Sequence, residues 1–132
     1  MSRLYGSLQN RLAENMVGRP EPQVGLGMTE YLWSDRHAYR IVSIEGYMAD
    51  KKRPKEIRVV PCWVRCKDFY AGDWEVSMAE EKPEGDGWHR HWDGAPMALL
   101  RTRKGNWTES GREDSTHFCV CLNPSEYEDP SF

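Results

Sequence analysis

The chain has 132 residues, 18 basic and 21 acidic, for a formal net charge of −3. Leu, Ile, Val and Phe supply only 22 of these residues, but six Trp, six Tyr and six Met make up the shortfall, since each buried aromatic covers roughly 150–250 Å². That balance excludes disorder, which needs a large unbalanced charge. It also leaves no basic surplus for nonspecific duplex binding, and the length suits one domain with one core.

In chain order, residues 2–17 read as a helix. Leu4, Leu8 and Leu12 recur every four residues, Tyr5 and Met16 widen the stripe, Ser2 caps the start, and Gly18 with Pro20 ends it. A lone helix of that length is marginal in water, so it covers the domain or pairs with a second copy, which suggests a homodimer. From Val24 the pattern changes to strands. Met28–Trp33 and Ala38–Glu45 flank a short polar turn, and residues 46–55 form a loop. Glu56–Cys66 is strand-like, with Pro61 marking an edge or bulge. Trp74, Val76 and Met78 alternate with Asp73, Glu75 and Ser77, and Glu80–Pro96 reads as one long surface loop. Met97–Arg103 and Asn106–Thr108 form a hairpin across Lys104 and Gly105, and Thr116–Leu122 alternates as a last strand.

The expectation is a mainly β, α+β fold. Residues 24–122 form a small antiparallel barrel or curled sheet of five to seven strands, with an SH3-like barrel as one form, and 123–132 form an acidic, aromatic tail. No apolar run approaches the ~18 residues of a membrane span, and the N-terminus lacks a signal peptide's apolar stretch. A soluble, cytoplasmic protein without a membrane partner is therefore expected.

Three segments carry a resemblance. They are Val24–Glu45, with Gly25, Gly27 and then Ser34-Asp35-Arg36-His37-Ala38; Arg103-Lys104-Gly105-Asn106-Trp107; and the terminal Tyr127-Glu128-Asp129-Pro130-Ser131-Phe132. Together they resemble a group of small uncharacterised bacteriophage and prophage proteins. The resemblance implies a phage or prophage origin, hence the cytoplasm of an infected bacterial host, and a small, mostly β fold. It brings no activity and no catalytic residue.

Ser34-Asp35-Arg36-His37, preceded by Trp33, is the densest polar group. Arg36 offers a planar fork to a phosphate or carboxylate, and His37 a donor or a pH-sensitive charge. The structural reading of the same residues is a turn locked by Asp35, with Arg36 tying down a strand or the C-terminal tail. Trp88-His89-Arg90-His91-Trp92 offers two Trp for stacking or for gripping a partner and two His that could join a metal site. It equally reads as a short extra strand with its aromatics buried. Arg101, Arg103, Lys104 and Trp107 would serve a nucleic-acid face. Cys62, Cys66, Cys119 and Cys121 could close a structural zinc site, but a C-x-C pair on a strand fits poorly, and buried free thiols are the plainer reading.

A Walker loop, a dinucleotide fingerprint and a G-x-S-x-G elbow are all lacking, so neither catalysis nor a resident cofactor is expected. With the phage origin that the resemblance implies, the expectation is a non-enzymatic phage accessory protein that binds and inhibits a host component, either an antiviral-defence effector or its nucleotide signal. Its contacts would come from Trp33, Asp35, Arg36, His37, Trp88, Trp92, Arg103 and Trp107. The alternatives are a nucleic-acid-binding small barrel and a metal-dependent hydrolase built on His89, His91 and a carboxylate.

Overall fold

Side chains alternate across a strand, so pairing register decides which of them enter the core. β1 (Gly27–Tyr31) and β2 (Arg36–Tyr47) pair Met28 with Tyr39 and Glu30 with His37 on one face, and Thr29 with Ala38 on the other. The remaining strands are β3 (Pro54–Pro61), β4 (Trp63–Asp68), β5 (Asp73–Ser77), β6 (Met97–Arg101), β7 (Trp107–Glu109) and β8 (His117–Cys121). The computed structural model describes residues 21–102, 107–109 and 117–129. The helix expected over 2–17, any pairing through it, Arg103 and the Lys104-Gly105 turn lie outside the described residues. Among the described residues there is no helix at all, hence none long and apolar enough to cross a membrane.

Six strands close into an antiparallel barrel in the order β1-β2-β3-β6-β7-β8, with β8 pairing back onto β1. Closure removes the open edges that would invite strand addition. Register shifts between Ile41 and Ser43 and between Ile44 and Gly46 let the long β2 curve around it. Inside lie Met28, Tyr39, Ile41, Ile57, Val59, Leu99, Trp107, Phe118 and Val120, with Leu26, Ile44, Trp92 and Met97 packed against them. Trp107, read from sequence as a contact for a ligand or nucleic acid, is only 2% exposed and fills this core. The pairing of β7 with β8 at Trp107 and Phe118 turns both rings inward, so Trp107 offers no face to a ligand.

The single strand expected over 56–66 is two strands. Pro61 brings no amide to a ladder, so β3 ends there opposite Tyr39. The chain turns away at Cys62, whose N–H donates to the Ala38 carbonyl at 3.0 Å. β4 and β5 then pair as a separate hairpin inserted between β3 and β6. It closes a second, smaller core of Ala38, Cys62 and Val64 under Trp74, Val76 and Met78.

Beyond Tyr39, β2 is left without β3, and the C-terminal segment 124–129 takes its place. Arg36 and Tyr127 exchange two backbone hydrogen bonds of 2.8 Å. Upstream, the Ser125 N–H donates to Thr29 Oγ1 at 3.0 Å, and Pro124 lies on Gly27, where an added Cβ would come within 2.5 Å of the proline Cδ. The tail is thus part of the fold. Trp107→Ala is expected to cost about 3–5 kcal/mol, as deletion of a buried Trp does, whereas Trp33→Ala on the surface should change stability by about 0.5 kcal/mol or less. Urea unfolding of the two variants checks the assignment.

Candidate functional site

The strongest convergence of polar groups lies one residue pair short of the β1–β2 turn. Glu30 and His37 are cross-strand partners there, with Glu30 Oε1 3.6 Å from His37 Nδ1. Tyr39, two residues along β2, donates its hydroxyl hydrogen bond to the same Glu30 oxygen at 3.0 Å. The loop after β5 delivers His91 onto this pair. His89 exchanges two 2.9 Å backbone hydrogen bonds with Val64 of β4, which fixes the loop. Two residues later the His91 ring stacks on His37, centroids 3.9 Å apart. Trp92 then packs against the barrel core, 6.4 Å from the Tyr39 ring.

The C-terminal segment supplies the third side. Glu126 has a fully buried side chain whose two oxygens are both engaged: Oε1 accepts from the Ala38 N–H at 3.0 Å, and Oε2 lies 2.7 Å from His91 Nε2. A buried carboxylate is tolerated only when paired and hydrogen-bonded in this way. Glu128, two residues further on, is half-buried beside the cluster. One nitrogen or oxygen from each of His37, His91, Glu126 and Glu128 lies within 4.8 Å of the other three.

The electrostatics follow from this crowding. Burial works against a charged His37, but Glu30, Glu126 and Asp35 outweigh it and raise its pKa above the ordinary 6.5. Burial, reinforced by the charge of Glu30, raises the Tyr39 hydroxyl, which stays protonated as a donor.

The residues expected to make contacts divide into separate environments. Trp33 stands 98% exposed at the tip of the Leu32–Asp35 turn. Asp35 Oδ1 accepts from the Asp129 N–H at 2.9 Å and so ties down the tail. The Arg36 guanidinium lies over the Tyr127 ring, 5.0 Å from its centroid, the tail-holding role that was one of its two readings. Trp88 carries the Arg65 guanidinium at 4.7 Å, and Arg65 pairs with Glu75 at 2.8 Å. Among the described ones, His37 alone belongs to the four-donor cluster. His89 stands apart, edge-on to Trp74 and 6.2 Å from the His91 ring.

The four cysteines are free, and no three of them come together among the described residues. Cys62 belongs to the second core with its thiol 3.7 Å from the Met78 sulfur, and burial pushes its pKa up to about 12. Cys121 contacts Thr29 Oγ1 at 3.4 Å instead. The zinc reading of these thiols therefore has no geometric support among the described residues.

Sequence reasoning missed Glu30, Tyr39, Glu126 and Glu128 as members of one site. The acidic tail and the His-rich loop were visible, but nothing local linked them to β2. Compared with family models, curated proteins and solved structures, the chain finds no match.

Glu126→Ala would leave the Ala38 N–H and the His91 ring without their partner in a buried place. A loss of about 3 kcal/mol is expected, within the range for breaking such a pair, read as a lowered urea midpoint. The raised His37 pKa has a signed consequence. Its stabilising contribution is fully present below about pH 6.5 and is lost as pH rises through the higher folded value. NMR titration of the His37 ring should give a midpoint above 6.5, and a midpoint at or below it contradicts the assigned surroundings.

Proposed function

We propose that this chain is a non-enzymatic accessory protein of bacteriophage type that binds and inhibits a host component, foremost a protein effector of antiviral defence, in the cytoplasm of an infected bacterium. The observation that carries this reading is a pair of aromatic side chains left in water on two ordered turns. Trp33 is 98% exposed, and Tyr70 is 85% exposed. The first turn is closed by Leu32 N–H donating to the Asp35 carbonyl at 2.9 Å. The second is closed by Gly72 N–H on the Phe69 carbonyl at 3.2 Å and by Ala71 N–H on Asp68 Oδ1 at 3.1 Å.

Both turns abut Tyr127. Arg36 lies over its ring, and Gly72, at φ +68°, faces it so closely that an added Cβ would sit 2.5 Å from Cε1. Large aromatics held outward on preorganised turns supply binding energy with little ordering cost, which is how hot spots in protein interfaces work. An SH3-like use of the small barrel, with the partner met by its loops, belongs to the same proposal.

A protein partner fits this surface better than a nucleotide or a nucleic acid. The guanidinium groups of Arg36, Arg65, Arg90 and Arg101 lie over Tyr127, Trp88, Trp63 and Trp107. Those cations and ring faces already satisfy one another, so phosphate and base would have to displace them. The acidic balance of the chain favours a basic partner surface. In a pull-down from lysate of a candidate host, the wild type should retain a host protein in stoichiometric amount. The Trp33→Ser/Tyr70→Ser variant should lose it at an unchanged melting temperature. Equal capture by both proteins, or by neither, contradicts the reading.

A further inference from the structure

We propose that His37, His91, Glu126 and Glu128 form a binding site for one divalent transition-metal ion of the zinc type. The four donors come from β2, from the loop after β5 and from the C-terminal segment, and their ligand atoms lie within 4.8 Å of one another. Zinc bonds of about 2.0–2.2 Å place tetrahedral ligands about 3.3–3.6 Å apart, so side-chain shifts of roughly an ångström close the sphere. His91 Nε2 and Glu126 Oε2 already meet at 2.7 Å. An ion entering there takes the place of the proton between them and wedges apart the stacked rings of His37 and His91.

The donor set selects the class of ion. Two imidazoles with two carboxylates suit zinc and its borderline neighbours, whereas calcium and magnesium prefer all-oxygen shells. Two carboxylates and two neutral imidazoles also balance a divalent charge, which matters where Glu126 is shut off from water.

The surroundings are arranged as metal sites require. Glu30 lies against His37 Nδ1 and is held in turn by the Tyr39 hydroxyl. That leaves His37 Nε2 for the ion, and a small approach of Glu30 to Nδ1 would supply the carboxylate–histidine support that orients a ligand and raises its basicity. Glu126 has one oxygen fixed by the Ala38 N–H, leaving the other to ligate. An ion here also joins two segments whose backbone pairing to the strands rests on single bridges, Val64 with His89 and Arg36 with Tyr127. Trp33 and Tyr70 are not among the four donors, so ion binding and partner capture are tested by different variants.

The full chain, stripped with chelator and desalted, is titrated with zinc chloride by calorimetry and with cobalt chloride by visible absorption. One ion per chain is expected, with cobalt d–d bands and no sulfur-to-metal charge-transfer band. Affinity should fall at least tenfold in His91→Ala and in Glu128→Gln. Glu128 is half-buried, so its variant keeps the test alive if His91→Ala fails to fold. Tyr39→Phe, which touches no ion, should weaken zinc about tenfold through loss of its hold on Glu30. Absence of stoichiometric binding, a sulfur band, or unchanged affinity in Glu128→Gln would overturn the assignment.

Discussion

A carboxylate shut away from water must be met by donors on every side, and Glu126 imposes that requirement on this fold. Its two oxygens take the Ala38 N–H from β2 and the His91 ring from the loop after β5. Neither partner is near it in sequence, so burying this one side chain brings three separate parts of the chain to a common point. The energetic asymmetry of buried polar groups explains the strictness. A satisfied hydrogen bond adds only about 1 kcal/mol net, whereas an orphaned buried partner costs about 1–3 kcal/mol. The arrangement is therefore held less by its attraction than by the penalty for leaving it incomplete.

The barrel makes room for this meeting through features that weaken it locally. Pro61 ends β3 early and leaves the last turn-proximal residues of β2 without their neighbour. The tail enters that gap, seated on Gly27 by Pro124 and on Gly72 by Tyr127. At both glycines a side chain would collide with the tail, and at Gly72 the backbone is also left-handed. The inserted β4–β5 hairpin has a matching part. It covers the outer face of β2 at Ala38 and pairs with His89, which sets the direction in which His91 reaches the rim. The same packing leaves Trp33 and Tyr70 outside, on turns whose backbones are already hydrogen-bonded. One closed β fold thus presents two surfaces of different chemistry, a nitrogen-and-carboxylate cluster within the rim and an aromatic pair on the adjoining turns.

Much of the β architecture was legible in the sequence because alternation is a local signal. The Met28–Trp33 and Ala38–Glu45 hairpin, the Trp74–Val76–Met78 strand and the Phe118–Val120 strand all emerge from it, and Pro61 announced a break. Its extent is larger than the edge or bulge expected there, since the alternating pattern continues through Cys62 into β4 while the ladder ends at Pro61. Trp107 followed a basic run, which suggested a surface, and only barrel closure shows that its ring points inward. The rim cluster was the least legible part. Ala38, beside His37, and His91 meet Glu126 across 88 and 35 residues of chain, and no periodicity in the sequence encodes such a pairing. The docked position of the acidic, aromatic tail is not legible locally because it depends on a gap left by another strand.

Amide hydrogen exchange on the full chain, resolved by NMR, tests the docking of the C-terminal segment most directly. Arg36 and Tyr127 donate to each other, and Ala38 donates to Glu126, so none of these protections can arise unless the tail lies where described. The account predicts that all three amides exchange as slowly as those of the β1–β2 ladder. Exchange of Arg36, Ala38 and Tyr127 at open-chain rates, with the ladder still protected, would contradict it.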